Sequence, residues 1–208
     1  MTHPNLTIAH TLLLIALDDE TGRSIASNKL QLDFSLCGAA IVELQFRQRM
    51  IPARANYFGI VDGPALPAPL AYAAEHLGPK PRKLHRAVGK LRNIWWNPSM
   101  RNTLIDDLVS LGVVERKKDR FLAVPYRTRY PLAEGSSDEA VLRDALIEYV
   151  RNVKTEFPPS PLDGLLSLLR YLSLLEEVLG PELAHAPQVE KRTAVSYTHL
   201  TLPTICSV

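Results

Sequence analysis

The stretch DFSLCGAAIVELQFRQR, residues 33–49, predicts a helix that neighbouring elements can approach closely. Residues 38–40 are one glycine and two alanines, and small side chains shorten the distance between packed helices. Residues 33–35, Asp-Phe-Ser, are predicted to cap this helix, because short polar side chains accept hydrogen bonds from its first N–H groups.

Further elements are predicted on both sides of this helix by periodicity and by turn residues. Pro52 limits the strand that follows the helix to the edge of a sheet. In order, the predicted elements are a helix over 6–17 with Thr7 as its cap, a turn over 18–24, a short β-hairpin over 50–63, a helix over 68–77 and a basic helix over 82–93.

Asn97 and Pro98 predict the start of another helix, with Asn97 as the N-cap and Pro98 at the first helical position. Gly112 ends this helix, and residues 113–126 predict a strand, a turn and a second strand. The apolar residues of the helix recur with helical spacing and form one stripe: Met100, Leu104, Leu108 and Leu111.

The C-terminal half adds an amphipathic helix around residues 141–149 and a leucine-rich helix over 162–179 that begins at Ser160-Pro161. The leucine-rich segment contains four charged residues, so it predicts a buried helix and not a membrane span. The predicted fold class is mainly α, with one or two small β-hairpins.

The charge of the chain is unevenly distributed. Residues 76–130 contain 13 of the 24 Lys and Arg residues and four acids, a local balance of +9, whereas the remainder has 11 bases against 18 acids. Such a basic surface attracts anions, and a helix pair with a solvated cationic face accounts for the same numbers equally well.

Cysteine usage and the terminal sequences indicate a reduced, cytoplasmic chain. Cys37 and Cys206 do not form a disulfide framework, and the apolar run 11–17 is too short for a signal peptide or a membrane span. Residues 195–208 resemble the translation of a sequencing adapter and lack a helical period. The sequence therefore predicts one domain over 1–194, truncated at its C-terminus, followed by a tail of non-native origin.

Catalytic and metal-binding signatures are scarce, so an enzymatic function is not expected. The sequence contains no Gly-x-Ser-x-Gly, Walker or His-Glu-x-x-His motif, and its six histidines have no metal-ligand spacing. Residues 18–20, Asp-Asp-Glu, could hold a cation, but a solvated turn is the better interpretation. Neither a metal nor a cofactor is predicted.

Arg101 is the candidate binding residue in the helix that follows Asn97. The helix dipole disfavours a cation in the first turn, whereas a bound anion would be held there by free N–H groups and the guanidinium together. The alternative is an exposed arginine that tolerates a small dipole cost. Both interpretations remain open on the sequence.

The order of helix 82–93, helix 98–111 and hairpin 113–126 is also that of a winged-helix DNA-binding domain. The second helix carries two adjacent aspartates and few side chains that read base edges, so nucleic acid is the weaker hypothesis. A third hypothesis is a protein scaffold whose basic face meets an acidic partner. Of the two tryptophans, Trp95 and Trp96, we expect at least one to anchor the core between the two helices.

Three segments together resemble a known family. They are LTIAHTLLLIALDDETGRS (6–24), CGAAIVELQFRQRM (37–50) and WWNPSMRNTLIDDLVSLGVVERKKDRFLAVPYRTRYPL (95–132). They occur in the same order as in the Golgi phosphoprotein 3 family and with nearly the same spacing. The chain resembles this family from about Leu6 to Arg192. It resembles the compact prokaryotic branch more closely than the eukaryotic Golgi proteins, because its first hairpin is short and the acidic N-terminal extension is absent from this sequence.

The resemblance implies a bundle of amphipathic helices around a hydrophobic central helix, expected at 162–179. It also implies peripheral, cytoplasmic-side membrane binding through phosphatidylinositol 4-phosphate. Eukaryotic relatives bind the cytosolic tails of glycosyltransferases and oligomerise through a hairpin, so protein tails and a homo-oligomer are implied as further partners.

Of the four headgroup-binding residues that the resemblance implies, one is matched here, by Arg101. The other three, a Trp and two Arg, fall at Ser27-Asn28, Cys37 and Pro98. Basic residues near an anionic membrane contribute about 1 kcal/mol each. The predicted function is a non-enzymatic adaptor on anionic membranes, and the predicted lipid headgroup-binding residues are Arg101, Arg92, Lys90, Arg127 and Arg129.

Overall fold

The computed structural model describes residues 6–54, 56–92, 99–121, 124–134, 138–152 and 160–199. Within these ranges the chain is mainly helical with two small antiparallel hairpins, which confirms the predicted fold class. The helices are α1 (Ile8–Ile15), α2 (Lys29–Phe46), α3 (Ala68–Leu77), α4 (Leu84–Arg92), α5 (Met100–Ser110), α6 (Asp138–Arg151), α7 (Pro161–Tyr171), α8 (Leu175–Leu179), α9 (Pro181–Ala184) and α10 (Pro187–His199). The strands are β1 (Met50–Arg54) and β2 (Tyr57–Ile60) in the first hairpin and β3 (Lys117–Phe121) and β4 (Val124–Arg129) in the second.

The central helix of this fold is α2. It packs against α1, α3, α4, α5 and α7, and residues 35–44 are buried without interruption. Only an interior helix can be apolar on every face. The expectation that residues 162–179 supply the central helix is wrong, because that segment is divided into α7 and α8.

Ser173 divides the leucine-rich segment. Its φ of 59° lies in the left-handed region, where glycine is the usual residue. The N–H of Ser173 donates to the carbonyl of Arg170 at 3.0 Å. The N–H of Leu174 donates to the carbonyl of Leu169 at 2.9 Å, which completes a Schellman motif. Since no glycine marks this helix end, the periodicity of the leucines predicts one long helix.

The start of α2 also differs from the prediction. Asn28, and not residues 33–35, is the N-cap, because its Oδ1 accepts hydrogen bonds from the N–H groups of Leu30 (2.9 Å) and Gln31 (3.4 Å). Asn and Asp are both favoured as N-caps. Because Leu32 is buried, the packed face of α2 begins before residue 33, and the helix starts at the earlier of the two candidate caps, Asn28.

Glu43 joins α2 to α1 inside the core. Its Oε2 accepts a hydrogen bond from the N–H of Ile8 at 2.7 Å, and its Oε1 accepts from Arg47 Nη2 at 2.7 Å. The Ile8 N–H belongs to the first turn of α1, where no helical carbonyl can accept it. A buried carboxylate is tolerated only when it is paired, so this contact fixes where α1 begins on α2.

Two other helix ends depart from the predictions. The N-cap of α5 is Ser99, whose Oγ accepts a hydrogen bond from the Asn102 N–H at 3.1 Å, and the predicted cap residues 97–98 lie outside the described residues. Arg101 is in the first turn, as predicted. The helix α10 continues to His199, so the expectation that residues 195–199 lack helical structure is wrong. The predicted non-native origin of the tail stays a prediction.

The turn over 18–24 holds the second hairpin through its backbone. Gly22 has a φ of 60°, and a Cβ atom at this position would collide with the backbone of residues 130–131. The carbonyl of Gly22 accepts a hydrogen bond from the N–H of Tyr130 at 3.4 Å. Only glycine allows this close approach.

His10 closes the N-terminal turn of α1 from within the core. Its Nδ1 accepts a hydrogen bond from the N–H of Thr7 at 3.1 Å, while the Thr7 Oγ1 accepts from the N–H of His10 at 3.2 Å. Thr7 is therefore the cap, as predicted, within a reciprocal capping box. The His10 Nε2 lies 3.3 Å from Asp107 Oδ2, but burial dominates and lowers the pKa of His10 to about 4.

Replacing Ser173 by glycine should stabilise the protein. The left-handed conformation costs a residue with a side chain about 1 kcal/mol, and glycine removes this cost. We expect Ser173→Gly to raise the free energy of unfolding by roughly 0.5–1 kcal/mol in urea unfolding. An unchanged or lower transition midpoint would contradict the Schellman geometry at this position.

The burial of His10 should make the protein less stable in acid. Because the pKa is about 4 in the folded state and about 6.5 in an unfolded chain, the unfolded state binds more protons between these values. The free energy of unfolding should therefore fall as the pH falls from about 6.5 to about 4.

His10→Asn provides the test, since the Asn Oδ1 can still accept the Thr7 N–H. The pH dependence of its unfolding in urea should be flatter over this window, by on the order of 2 kcal/mol. Parallel curves for the two proteins would exclude His10 as the titrating group.

Candidate anion-binding surface

Two of the predicted residues, Arg92 and Arg101, converge on the N-terminal half of α2. Arg101 Nη2 donates to the carbonyl of Lys29 at 3.1 Å, and Arg101 Nε lies 2.8 Å from Asp33 Oδ1. The guanidinium carbon of Arg92 lies 4.7 Å from the centre of the Phe34 ring, in a cation–π arrangement. These five residues are called the Arg101 site below.

The packing of α4 and α5 against α2 brings the two arginines together. Arg92 is the last residue of α4, directly after buried Leu91, and Arg101 follows buried Met100 at the start of α5. Both helices bury an apolar face on the same central helix, and one terminal arginine from each lies against its N-terminal half. The residues that form these faces are Leu84, Ala87, Val88 and Leu91 in α4 and Met100, Leu104, Ile105 and Leu108 in α5.

Asp33 determines the electrostatics of the site. Burial raises the pKa of its carboxyl, and the charges of Arg101 and Arg92 partly oppose that rise. Its carboxylate offsets the dipole cost of a cation in the first turn of α5. Arg101 is thus paired with an internal carboxylate, but 21% of its side chain stays exposed to solvent and can be reached by an anion.

Two of the positions at which the family resemblance implies further headgroup-binding residues, Asn28 and Cys37, lie near this site. Asn28 caps α2, so its side-chain oxygen is occupied. Cys37 is buried, and burial raises the pKa of its thiol to about 12, so it is uncharged. Pro98 lies outside the described residues. Neither Asn28 nor Cys37 supplies a charge to a headgroup, so the cations of the site are Arg101, Arg92 and the exposed Lys29.

Lys90 points to a different part of the surface. Its Nζ lies 3.5 Å from the carbonyl of Leu77, at the C-terminal end of α3, where Arg82 also donates to that carbonyl. Burial and the neighbouring Arg82 charge lower the pKa of Lys90. Residues two apart on a helix are about 200° apart around its axis, so Lys90 and Arg92 face different directions.

Arg127 and Arg129 belong to β4. Arg129 pairs with Lys117 across the second hairpin, which follows the C-terminal end of α5. Arg101 is in the first turn of α5, whose 11 residues span about 16 Å. The hairpin is thus attached at the other end of α5. The Arg127 side chain, and Trp95, Trp96 and Asn97, lie outside the described residues.

Other kinds of site receive little support from the described residues. No group of three or more His, Cys, Asp or Glu residues among them could hold a metal ion. Asp18 Oδ1 accepts the N–H of Thr21 at 2.7 Å, which is the hydrogen bond of a polar turn. None of the helices in the described ranges combines the length and the apolar character needed to cross a bilayer.

A cleft of about 770 Å³ lies between α3 and residues 60–66. Arg49 bridges it by donating to the carbonyls of Val61, at 2.8 Å, and Pro64. The residues that line it include Asp62 and Glu75 but no His, Cys or Ser. It is a structural cleft closed by an arginine, away from the Arg101 site.

Comparison with known proteins yields one family. The sequence model of the family described as Golgi phosphoprotein 3 (GPP34) matches residues 8–199. This range runs from the first residue of α1 to the last residue of α10 and includes every residue of the Arg101 site. No curated protein matches the chain.

Asp33 should compete with any anion for Arg101. We expect Asp33→Asn to increase binding to vesicles that contain an anionic lipid by a few fold, because it removes the internal counter-ion and leaves both arginines in place. Acidification should strengthen wild-type binding for the same reason, since burial raises the pKa of Asp33 and protonation removes its competing charge. Co-sedimentation across a pH series checks both effects, and the pH effect should be smaller in Asp33→Asn.

Proposed function

The chain belongs to the Golgi phosphoprotein 3 family, and on that premise we propose that it is a non-enzymatic peripheral membrane protein that binds anionic lipid headgroups at the Arg101 site. The observation that carries the proposal is the convergence of Arg92 and Arg101 on one end of α2. The two arginines are 9 positions apart in sequence and on different helices.

A phosphate group suits this arrangement. The guanidinium of Arg101 can donate two parallel hydrogen bonds to phosphate oxygens, and Arg92 adds a second cation beside it. The N–H groups in the first turn of α5 lie at the positive end of its helix dipole, and both favour a bound anion there. Asp33 opposes binding, so a group with two negative charges is favoured over one with a single charge.

Headgroup preference follows from the same count of charges. A phosphomonoester such as that of phosphatidylinositol 4-phosphate carries more charge than a phosphodiester lipid, so it should bind best. Since Asn28 and Cys37 add no charge to the site, we expect this preference to be modest. In this proposal the bound protein acts as an adaptor that presents its remaining surface to protein partners.

Nucleic acid is the weaker alternative. The order α4, α5 and β3–β4 does match a winged helix, but α5 buries one face and exposes Asn102, Asp106 and Ser110 on the other. Asp106 is 61% exposed and is paired with Arg116 of the hairpin. A carboxylate on the face that would enter the groove repels the phosphate backbone, so charge favours a different partner.

The proposal is tested by comparing Arg101→Ala with Arg116→Ala. Both arginines are paired with an aspartate and both contact or belong to α5, but only Arg101 belongs to the site. With vesicles of phosphatidylcholine containing phosphatidylinositol 4-phosphate, Arg101→Ala should bind about fivefold more weakly, since one base near the membrane contributes about 1 kcal/mol. Arg116→Ala should bind like the wild type.

Circular dichroism and thermal unfolding confirm that each variant is folded. The proposal would be contradicted if the wild-type protein sedimented equally with neutral and anionic vesicles. Equal losses of vesicle binding in the two variants would also contradict it. Retention on DNA that falls steeply with salt, without vesicle binding, would favour the nucleic-acid alternative.

A further inference from the structure

We propose that Leu30 is a membrane anchor, whose side chain enters the acyl boundary of an anionic bilayer while Arg92 and Arg101 contact the headgroups. This inference rests on the proposed function and adds a hydrophobic contact to it. The partner is a lipid surface and not a protein, for reasons of charge and of area given below.

Leu30 is the most exposed large apolar side chain in the described part of the chain, at 49%. A single exposed leucine is ordinary on a protein surface and does not by itself indicate a partner. Its surroundings distinguish it. It lies in the first turn of α2, and Phe34, one turn later on the same face of the helix, is only partly buried.

Cations surround this short apolar stripe. Arg92 stacks on the ring of Phe34, and Arg101 donates to the carbonyl of Lys29, the residue next to Leu30. Lys29 is itself exposed and adds a third cation at this end of the helix. Leucine and phenylalanine bordered by Lys and Arg are the residue types that bind at the membrane interface, where cations meet phosphates and apolar side chains pass below them.

The geometry of α2 allows this insertion. Residues 27–30 are all exposed, whereas residues 35–44 are buried, so the N-terminal turn is the part of the central helix that protrudes from the fold. An anchor on a rigid, buried helix keeps a fixed position relative to Arg101. Docking of the headgroup and entry of Leu30 would therefore reinforce each other.

The small size of the apolar stripe argues against a protein partner. A specific protein interface buries about 800 Å² on each side, which one leucine and the edge of one phenylalanine do not provide. A bilayer needs no matching shape, and one inserted leucine strengthens a contact that charge has already formed.

The test compares Leu30→Ser with Ile51→Ser. Ile51 is 41% exposed and lies in β1, beyond the C-terminal end of α2, and the 18 residues of the helix span about 27 Å. On vesicles containing phosphatidylinositol 4-phosphate, Leu30→Ser should bind roughly tenfold more weakly and Ile51→Ser should bind like the wild type. The loss in Leu30→Ser should persist as a similar ratio at high salt, whereas salt should shrink the loss in Arg101→Ala.

A second measurement reports insertion directly. An environment-sensitive fluorophore is attached at Leu30→Cys or, as control, at Ile51→Cys, in a Cys206→Ser background in which buried Cys37 is protected from labelling. Anionic vesicles should shift the emission at position 30 to the blue, and brominated acyl chains should quench it. The probe at position 51 should not respond.

The outcomes separate the two proposals. Loss of binding in Arg101→Ala with unchanged binding in Leu30→Ser, and no shift of the probe at position 30, overturns the anchor but leaves the headgroup site. A wild type that does not prefer anionic vesicles overturns both. Equal responses at positions 30 and 51 would show non-specific adsorption and would also overturn the anchor.

Discussion

The burial of α2 on every side is the constraint on which the rest of the structure depends. Neighbours approach a helix most closely where its side chains are small, and residues 38–40 lie in the middle of its ten consecutive buried residues. The one acid in its buried stretch, Glu43, must be satisfied inside the core, and it is satisfied by the first turn of α1 and by Arg47. The position of α1 thus follows from a charge that cannot be left unpaired.

The same constraint shapes the Arg101 site. Because the middle of α2 is enclosed, its polar and partly exposed side chains lie toward its ends, and the N-terminal end is the one that meets Arg92 and Arg101. At this end Asp33 forms an ion pair with one arginine, Arg101, and the ring of Phe34 forms a cation–π contact with the other, Arg92. The site is therefore built where the core ends.

Local patterns in the sequence predict most of the elements, and the failures have physical causes. The stripe of Met100, Leu104 and Leu108 predicts the buried face of α5, since helical periodicity is a local property. The break at Ser173 could not be predicted, because a serine in the left-handed region looks like any other serine. The helix dipole directs attention to Arg101, but its partner Asp33 is 68 positions away, and only the tertiary fold joins them. The separation of Lys90 from Arg92 could have been predicted from helical geometry alone.

The contact between Gly22 and the end of β4 has a consequence for how the second hairpin can vary. At this contact the end of the hairpin touches the 18–24 turn through peptide groups, and no room is left for a side chain at position 22. This contact does not depend on which side chains the two strands carry. Substitutions along β3 and β4 can therefore change the charge or size of the second hairpin without altering this contact. Any side chain at position 22 would instead push the end of the hairpin away from the turn.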